Sequence, residues 1–174
     1  MIEETKPHTI VVDNFFHDLE YILKISKELE YNKPKENEEH NNWAGVRTKS
    51  LHLTHPKLFQ DIVMKILGHY YPQTPLTFKN TDAVFSKIKK GDKGKTHFHY
   101  DVDTKIAAVI YLSKGGIKTG TTLFNNNKEE QVIVSNDINT MVAYDGMKYH
   151  GATNLNLLKN RLTLNIFIRE INIE

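Results

Sequence analysis

The chain has 174 residues, a formal net charge of +2 and no cysteine. Its length fits one domain, and a share of 39% hydrophobic beside 25% charged residues is typical of a globular protein rather than a disordered one. The lack of cysteine excludes disulfides, thiolate zinc sites and cysteine nucleophiles, so a metal site must use His, Asp or Glu. The mild charge argues against binding to nucleic acid.

The N-terminal residues carry several charges and no apolar run, so we expect no signal peptide. The longest apolar stretches have the length of a strand, so no segment is expected to span a membrane. Together these features predict a cytoplasmic protein.

Residues 1–75 are predicted to form a helical front part. Apolar residues recur at helical spacing over 19–29, with Asp13 or Asp18 as a possible cap, and again after Pro56. The polar segment 32–42 between them is expected to be an exposed loop. The segment from Trp43 to Arg47 could contact substrate, or it could be a loop fastened to the helices by Trp43.

Residues 81–171 are predicted to form a jelly-roll core. Turn-rich segments at 113–120, 125–129 and 135–139 separate short strands, which we expect at 82–89, 106–112, 121–124, 131–134, 140–144 and 161–171. Many short strands at this spacing are typical of a sandwich or barrel.

The last strand alternates between an apolar and a polar face. The apolar face could be covered by the two helices, and it comprises Leu162, Leu164, Ile166 and Ile168. The polar face comprises Arg161, Thr163, Asn165 and Phe167. It fits the pocket lining of a double-stranded β-helix, and it fits equally a sheet edge with one solvated face.

The densest group of possible metal ligands lies in the sequence from His97 to Asp101. Residues two apart on a strand project to the same side, so His99 and Asp101 can chelate one ion, and His97 competes for the same role. His150 is the best third ligand because it follows a β-rich stretch. Two imidazoles and one carboxylate leave the positions that non-haem Fe(II) needs for a cosubstrate and O2. An H-x-D tripeptide alone also fits two surface side chains.

Arg161 begins the polar face of the last strand, eleven residues after His150. Its planar guanidinium can make a bidentate pair with a carboxylate, as an acidic cosubstrate would require. We expect its side chain to point inward, and the alternative is a solvated arginine at a strand end. We expect it on the strand next to the one that ends near His150.

These elements resemble the Fe(II)- and 2-oxoglutarate-dependent oxygenases, in particular the short prolyl-hydroxylase-like members from bacteria and phages. The resemblance rests on His99-x-Asp101, His150 and Arg161, and on three stretches of sequence in the family's order, which are 107–113, 120–124 and 160–164. It departs at Gly120-Thr121, where that branch often has Gly-Gly.

The resemblance implies a single double-stranded β-helix (jelly-roll, cupin-like) domain over 1–174, mainly β, with the N-terminal helices on the outer face of one sheet. It implies that His99, Asp101 and His150 bind Fe(II), and that Arg161 and Tyr111 bind the distal carboxylate of 2-oxoglutarate. His97 matches no ligand position. Because halogenases of this family lack the carboxylate, the presence of Asp101 favours hydroxylation or another oxidation over halogenation.

The expected reaction is hydroxylation of a C–H bond with release of succinate and CO2, using O2. The substrate could be a protein residue such as proline or a small molecule. The alternatives are a cupin-like metal enzyme that does not use 2-oxoglutarate and an inactive barrel that serves as a binding module. Arg161 argues against the first, and the complete ligand set argues against the second.

Overall fold

A computed structural model describes residues 7–33, 44–89, 98–125, 129–153 and 160–174, with backbone alone at 116–118, 130–133 and 135. Within these ranges the chain forms three helices: α1 (Leu19–Glu28), α2 (Leu51–Thr54) and α3 (Pro56–Tyr70). The same ranges contain ten strands: β1 (Ile10–Val12), β2 (Tyr31–Asn32), β3 (Val46–Thr48), β4 (Leu76–Lys89), β5 (Ile106–Tyr111), β6 (Gly116–Phe124), β7 (Glu130–Asn136), β8 (Met141–Asp145), β9 (His150–Thr153) and β10 (Asn160–Ile173).

The two longer helices begin where the sequence provides starting signals. Asp18 caps α1, and its Oδ1 accepts a hydrogen bond of 2.9 Å from the backbone N–H of Tyr21. Pro56 occupies the first turn of α3, where its missing N–H costs no helical hydrogen bond. None of the helices in the described ranges is both long and apolar enough to cross a membrane.

The strands form two sheets. The major sheet has seven strands in the order β1-β8-β5-β10-β4-β3-β2, and the minor sheet has three in the order β7-β6-β9. β10 is the central long strand, paired antiparallel with β4 on one side and with β5 on the other. Directly paired residues project to the same side of a sheet, so the register of β10 assigns both faces of the major sheet.

The outer face of the major sheet carries the main core. The β10 residues Leu164, Ile166 and Ile168 are fully buried, and Leu162 packs partly buried against them. The same cluster contains Ile22 of α1 and the buried side chains of α3. The expectation that the helices cover this face is therefore confirmed.

The inner face of the major sheet meets the minor sheet across a second, smaller core. This core contains Ala107, Tyr111, Leu123, Val134, Val142 and Tyr144, with Val109 beside them. The two facing antiparallel sheets form a double-stranded β-helix, as the sequence predicts. Arg161 lies on this inner face, because it is two residues from Thr163, which pairs directly with Tyr111.

Several expectations about the strands are wrong. β6 begins at Gly116, within the expected turn 113–120, and β7 extends to Asn136, within the expected turn 135–139. Arg161 is not on the strand next to the one that precedes His150, because β5 lies between β10 and β8. Asn32 belongs to β2 rather than to the expected loop, whose residues 34–42 lie outside the described ranges. The front part contains β1, β2 and β3 in addition to its helices. Strands of two or three residues are too short to show alternation in the sequence, and they form here by pairing with longer strands.

Candidate metal centre and adjoining pocket

Backbone pairing brings the three candidate ligands together. His99 and His150 form an isolated antiparallel bridge, with His99 N donating to His150 O at 2.7 Å and His150 N donating to His99 O at 2.9 Å. Two residues on, Asp101 N donates to Gly146 O at 2.9 Å. The H-x-D segment is thus held against the start of β9 and the turn before it.

The side chains of these residues converge on one point. His99 Nε2 lies 3.3 Å from Asp101 Oδ1, and His150 Nε2 lies 3.3 Å from Asp101 Oδ2. One possible ligand atom from each residue falls within 4.8 Å of the others, so the group could hold a metal ion. His99 is 54% exposed, whereas His150 is buried, so the centre is open on one side.

A hydrogen bond at Nδ1 fixes the orientation of the His150 ring. Its Nδ1 lies 2.7 Å from the carbonyl oxygen of Lys148. A carbonyl only accepts, so Nδ1 carries the hydrogen, and in the neutral ring Nε2 presents a lone pair toward Asp101. Asp101 Oδ2 is buried and has no hydrogen-bond partner. A lone pair and a carboxylate oxygen at 3.3 Å repel unless a proton or a cation lies between them.

The charge of Asp101 is maintained by the two histidines. Burial on its own would raise the pKa of the Asp101 carboxyl. When His150 and His99 are protonated, the hydrogen bonds that they can then donate and their positive charge outweigh burial and hold that pKa below its ordinary value. The carboxyl is therefore ionised at neutral pH and suited to bind a hard cation such as Fe(II).

Arg161 and Tyr111 lie together on the inner face. The guanidinium carbon of Arg161 is 5.6 Å from the centre of the Tyr111 ring, and the Tyr111 hydroxyl donates to Thr121 Oγ1 at 2.7 Å. Arg161 is almost fully buried, and its Nη1 has no hydrogen-bond partner. Burial lowers the pKa of its guanidinium, and the groups among the described residues that act against this shift are Tyr111 and Tyr144, neither of which is a carboxylate.

Tyr144 links the metal centre to Arg161. Its ring is fully buried on β8, with its centre 4.7 Å from that of the His150 ring. Burial raises the pKa of its phenol, the charge of Asp101 raises it further, and the charge of Arg161 opposes the rise. Tyr144 pairs with Ala107, which pairs with Phe167 on the same inner face of β10 as Arg161, so the metal centre and Arg161 border the same inner space.

Arg47 on β3 also faces this space. It pairs with Ser86, which pairs in turn with Thr163 on the inner face of β10. Burial lowers the pKa of the Arg47 guanidinium to about 10, and the negative charge of Asp101 opposes that shift. A second guanidinium is thus close enough to the metal centre to be affected by its carboxylate.

The structure brings together His99, Asp101 and His150, and it places Arg161 beside Tyr111. His97 and Trp43 lie outside the described residues. Sequence analysis did not identify Tyr144 or Thr121 as pocket residues, although strand alternation could have marked both. The sequence also did not predict that Arg47 lies near the metal centre, because its location depends on the pairing of β3 with β4.

Comparison with known proteins gives structural similarities only. No protein-family model matches the chain, and no curated protein sequence matches it. A Burkholderia pseudomallei oxidoreductase of the 2OG-Fe(II) oxygenase family is similar in structure, with a TM-score of 0.61 and 11% identity over 92% of this chain and 84% of that one.

Two prolyl hydroxylases are also similar in structure. The Pseudomonas putida prolyl-4-hydroxylase matches with a TM-score of 0.55 and 16% identity over 94% of this chain and 93% of that one. The Trichoplax adhaerens prolyl hydroxylase, in complex with a hypoxia inducible factor peptide, matches with a TM-score of 0.61 and 11% identity over 94% and 84%. The resemblance in sequence is therefore confirmed at the level of the fold: the chain has the double-stranded β-helix of the 2-oxoglutarate- and Fe(II)-dependent oxygenases and prolyl hydroxylases.

Proposed function

We propose that the chain is an Fe(II)- and 2-oxoglutarate-dependent dioxygenase, a single oxygenase domain over 1–174 that hydroxylates a C–H bond. One observation carries this proposal: a His-Asp-His cluster and a buried guanidinium, on which no carboxylate of the described residues acts, face the same inner space. A buried cation needs an anion beside it, because an uncompensated charge in an apolar interior is costly. A dicarboxylate that reaches from the metal to Arg161 meets this need.

Fe(II) would be held by His99 Nε2, His150 Nε2 and one oxygen of Asp101. The residues fit the ion, since Asp101 Oδ2 is a buried acceptor without a hydrogen-bond partner that faces the lone pair of His150 at 3.3 Å. With the ion bound, O2 would be the oxidant: two electrons would come from 2-oxoglutarate, which leaves as succinate and CO2, and two from the substrate C–H bond, which becomes C–OH. The Lys148 carbonyl keeps the His150 ring in the tautomer that presents Nε2 to the metal.

Arg161 would bind the distal carboxylate of 2-oxoglutarate through its guanidinium N–H groups, and Tyr111 would donate its hydroxyl hydrogen to the carboxylate in place of Thr121 Oγ1. Both are buried, which strengthens a charge-assisted hydrogen bond because water does not compete. The small inner core around Tyr111 would exclude water from this end of the pocket.

The substrate would enter from the open side of the cluster, where His99 is exposed. The Trichoplax neighbour binds a peptide, and a protein residue is accordingly one substrate class that we propose for this chain. A small molecule is the other, since Arg47 offers a positive charge beside Asp101 that suits an anionic group.

Anaerobic reconstitution tests the proposal directly. Adding Fe(II) and then 2-oxoglutarate should produce the weak charge-transfer absorption of a keto acid bound to Fe(II), and admitting O2 should yield succinate. The absorption should be absent in Asp101→Ala. If wild-type protein binds Fe(II) but neither binds 2-oxoglutarate nor forms succinate, the proposal is wrong.

A further inference from the structure

Asn136, at the end of β7, has a side chain with unusual surroundings. It is fully buried, and neither its Nδ2 nor its Oδ1 has a hydrogen-bond partner in the part of the chain that the structure describes. Buried side-chain polar atoms are normally paired, because an unpaired one loses its hydration without compensation. A fully buried amide with both ends unpaired indicates a place where a polar ligand or a water molecule binds.

The amide lies at the end of the barrel far from the metal centre. On β6, Gly116 pairs with Asn136, whereas Leu123, seven residues further on, pairs with His150. Asn136 is two residues from Val134, which packs in the inner core with Tyr111, so strand alternation directs the amide to the inside as well.

The turn between β5 and β6 places Asn136 at the same end as Arg161. Leu112 N donates to Leu162 O and Leu162 N donates to Ser113 Oγ, each at 2.9 Å, which fixes the start of the turn beside Arg161. Gly115 N donates to Asn136 O at 2.9 Å, which fixes its other end.

Gly115 packs directly against this amide. A Cβ on Gly115 would overlap both Asn136 Nδ2 and Thr119 Oγ1, so only glycine leaves room for the amide at this point. The turn therefore joins two buried side chains that each carry an N–H donor without a hydrogen-bond partner among the described residues, Asn136 Nδ2 and Arg161 Nη1.

We infer that Asn136 is a cosubstrate-positioning residue that provides a second donor for the distal carboxylate of 2-oxoglutarate. The inference rests on the proposed function. Arg161 donates to the carboxylate through its guanidinium, and Asn136 donates through Nδ2–H. A carboxylate has two oxygens and about four lone-pair sites, so it accepts from both groups at once. Asn136 thereby favours keto acids that carry a second carboxylate over those that end in a methyl group.

The test compares Asn136→Leu with a matched asparagine. Leucine has nearly the same size and removes both polar atoms. Asn139 is the control, because it is also buried but its amide is fully paired: Phe16 N donates to Asn139 Oδ1 and Asn139 Nδ2 donates to Phe16 O, each at 2.8 Å. Its φ of 64° makes Asn139→Gly the suitable change, since glycine tolerates that backbone.

The two variants should respond in opposite ways. Asn136→Leu should melt at the same or a higher temperature without ligand, because it removes two unpaired polar atoms. In the anaerobic Fe(II)-loaded protein, its affinity for 2-oxoglutarate should fall by about ten- to a hundred-fold, the effect of losing one hydrogen bond to a charged group. Asn139→Gly should melt lower and bind 2-oxoglutarate normally.

A second keto acid separates binding of the distal carboxylate from binding at the metal. 2-Oxopentanoate has the same carbon chain without the distal carboxylate, and its affinity should be equal in wild type and Asn136→Leu. Asn136→Asp replaces the leucine variant if that variant does not fold. It keeps the shape of the side chain and adds a negative charge, so it should lower the affinity for 2-oxoglutarate by at least as much.

Unchanged 2-oxoglutarate affinity in either Asn136 variant would overturn the inference. The amide would then bind a water molecule rather than the cosubstrate. Equal losses of affinity for both keto acids would overturn it as well, because the effect would then be at the metal. Failure of the wild-type protein to bind 2-oxoglutarate would instead refute the proposed function, and this inference would fail with it.

Discussion

His99 and His150 are joined by two backbone hydrogen bonds, of 2.7 and 2.9 Å, in opposite directions. The pairing sets the separation of the two imidazoles, whose ring centres are 4.6 Å apart, through the backbone rather than through a bound ion. Two of the three candidate ligands are therefore preorganised, and the third follows on the same segment as His99. A site of this kind loses little conformational entropy when it binds a metal ion.

The first prediction is that His99→Ala, Asp101→Ala and His150→Ala each abolish tight Fe(II) binding. Each removes one of three ligands, and the affinity should fall by more than about a hundred-fold, since loss of a supporting residue alone costs ten- to a hundred-fold. Anaerobic Fe(II) titration measures the change. His17→Ala is the control, because His17 is exposed and belongs to no group of three or more possible ligands among the described residues. Full affinity in Asp101→Ala would refute the assignment of the centre.

The second prediction concerns the close approach of Gly151 to Phe98. A Cβ on Gly151 would lie 2.5 Å from Cδ1 and 3.1 Å from Cα of Phe98, so Gly151→Ala must push the His99 segment away from β9. We expect a loss of about 1–3 kcal/mol in the free energy of unfolding, as for other overpacked sites. Fe(II) affinity should also fall, although all three ligands are intact.

Gly68→Ala is the matched control for that change. Nothing lies within 4 Å of a Cβ placed there, and Gly68 is an exposed residue of α3. Gly68→Ala should raise the free energy of unfolding by about 0.5–1 kcal/mol, because alanine has a higher helix propensity than glycine. Denaturant unfolding and Fe(II) titration of both variants give the comparison. Normal metal affinity in Gly151→Ala would show that the segment adapts to the methyl group.

The features that sequence analysis predicted correctly are those encoded by local periodicity. Alternation along the last strand predicted that Leu164 and Ile166 face the helices, and both are fully buried there. The H-x-D spacing predicted that His99 and Asp101 share one side, and their side chains meet. These patterns depend only on the geometry of one element, so they can be recognised without knowledge of the fold.

The features that were missed depend on contacts between distant segments. Arg47 lies near Asp101 because β3 pairs with β4, and a three-residue strand gives no periodic signal. Asn136 lies in a segment predicted as a turn, yet it ends β7 as a fully buried residue, and an asparagine in such a segment normally indicates exposure. Neither position could have been inferred before the two sheets were assembled.

The third prediction concerns Arg161. Arg161→Met should leave Fe(II) bound, since arginine is not a ligand, and should weaken 2-oxoglutarate by about thirty-fold or more, the equivalent of about 2–5 kcal/mol for a lost charge-assisted pair. Arg161→Lys should restore only part of the affinity, because a point charge lacks the planar fork. Without ligand, Arg161→Met should be at least as stable as wild type, because it removes a buried charge with an unpaired Nη1.

Calorimetric titration of 2-oxoglutarate into the Fe(II)-loaded variants measures these differences. Equal affinities in wild type and Arg161→Met would mean that another group binds the distal carboxylate. Lys87 is a poor substitute on structural grounds. It pairs with Leu162 on the outer face, and its Nζ lies 3.6 Å from the centre of the Tyr31 ring, away from the pocket.

The last prediction separates the two roles that the Tyr111 hydroxyl could have. It donates to Thr121 Oγ1 at 2.7 Å, and both residues are buried, so Tyr111→Phe and Thr121→Val each break the same hydrogen bond. Each should cost about 1–3 kcal/mol of stability, because one polar group is left buried without its partner.

Only Tyr111→Phe removes the hydroxyl that we propose to contact 2-oxoglutarate. Its affinity for 2-oxoglutarate should therefore fall by about ten-fold, whereas Thr121→Val, which frees that hydroxyl, should bind as well as wild type or better. Equal effects of the two changes on affinity would mean that Tyr111 supports the pocket only through Thr121.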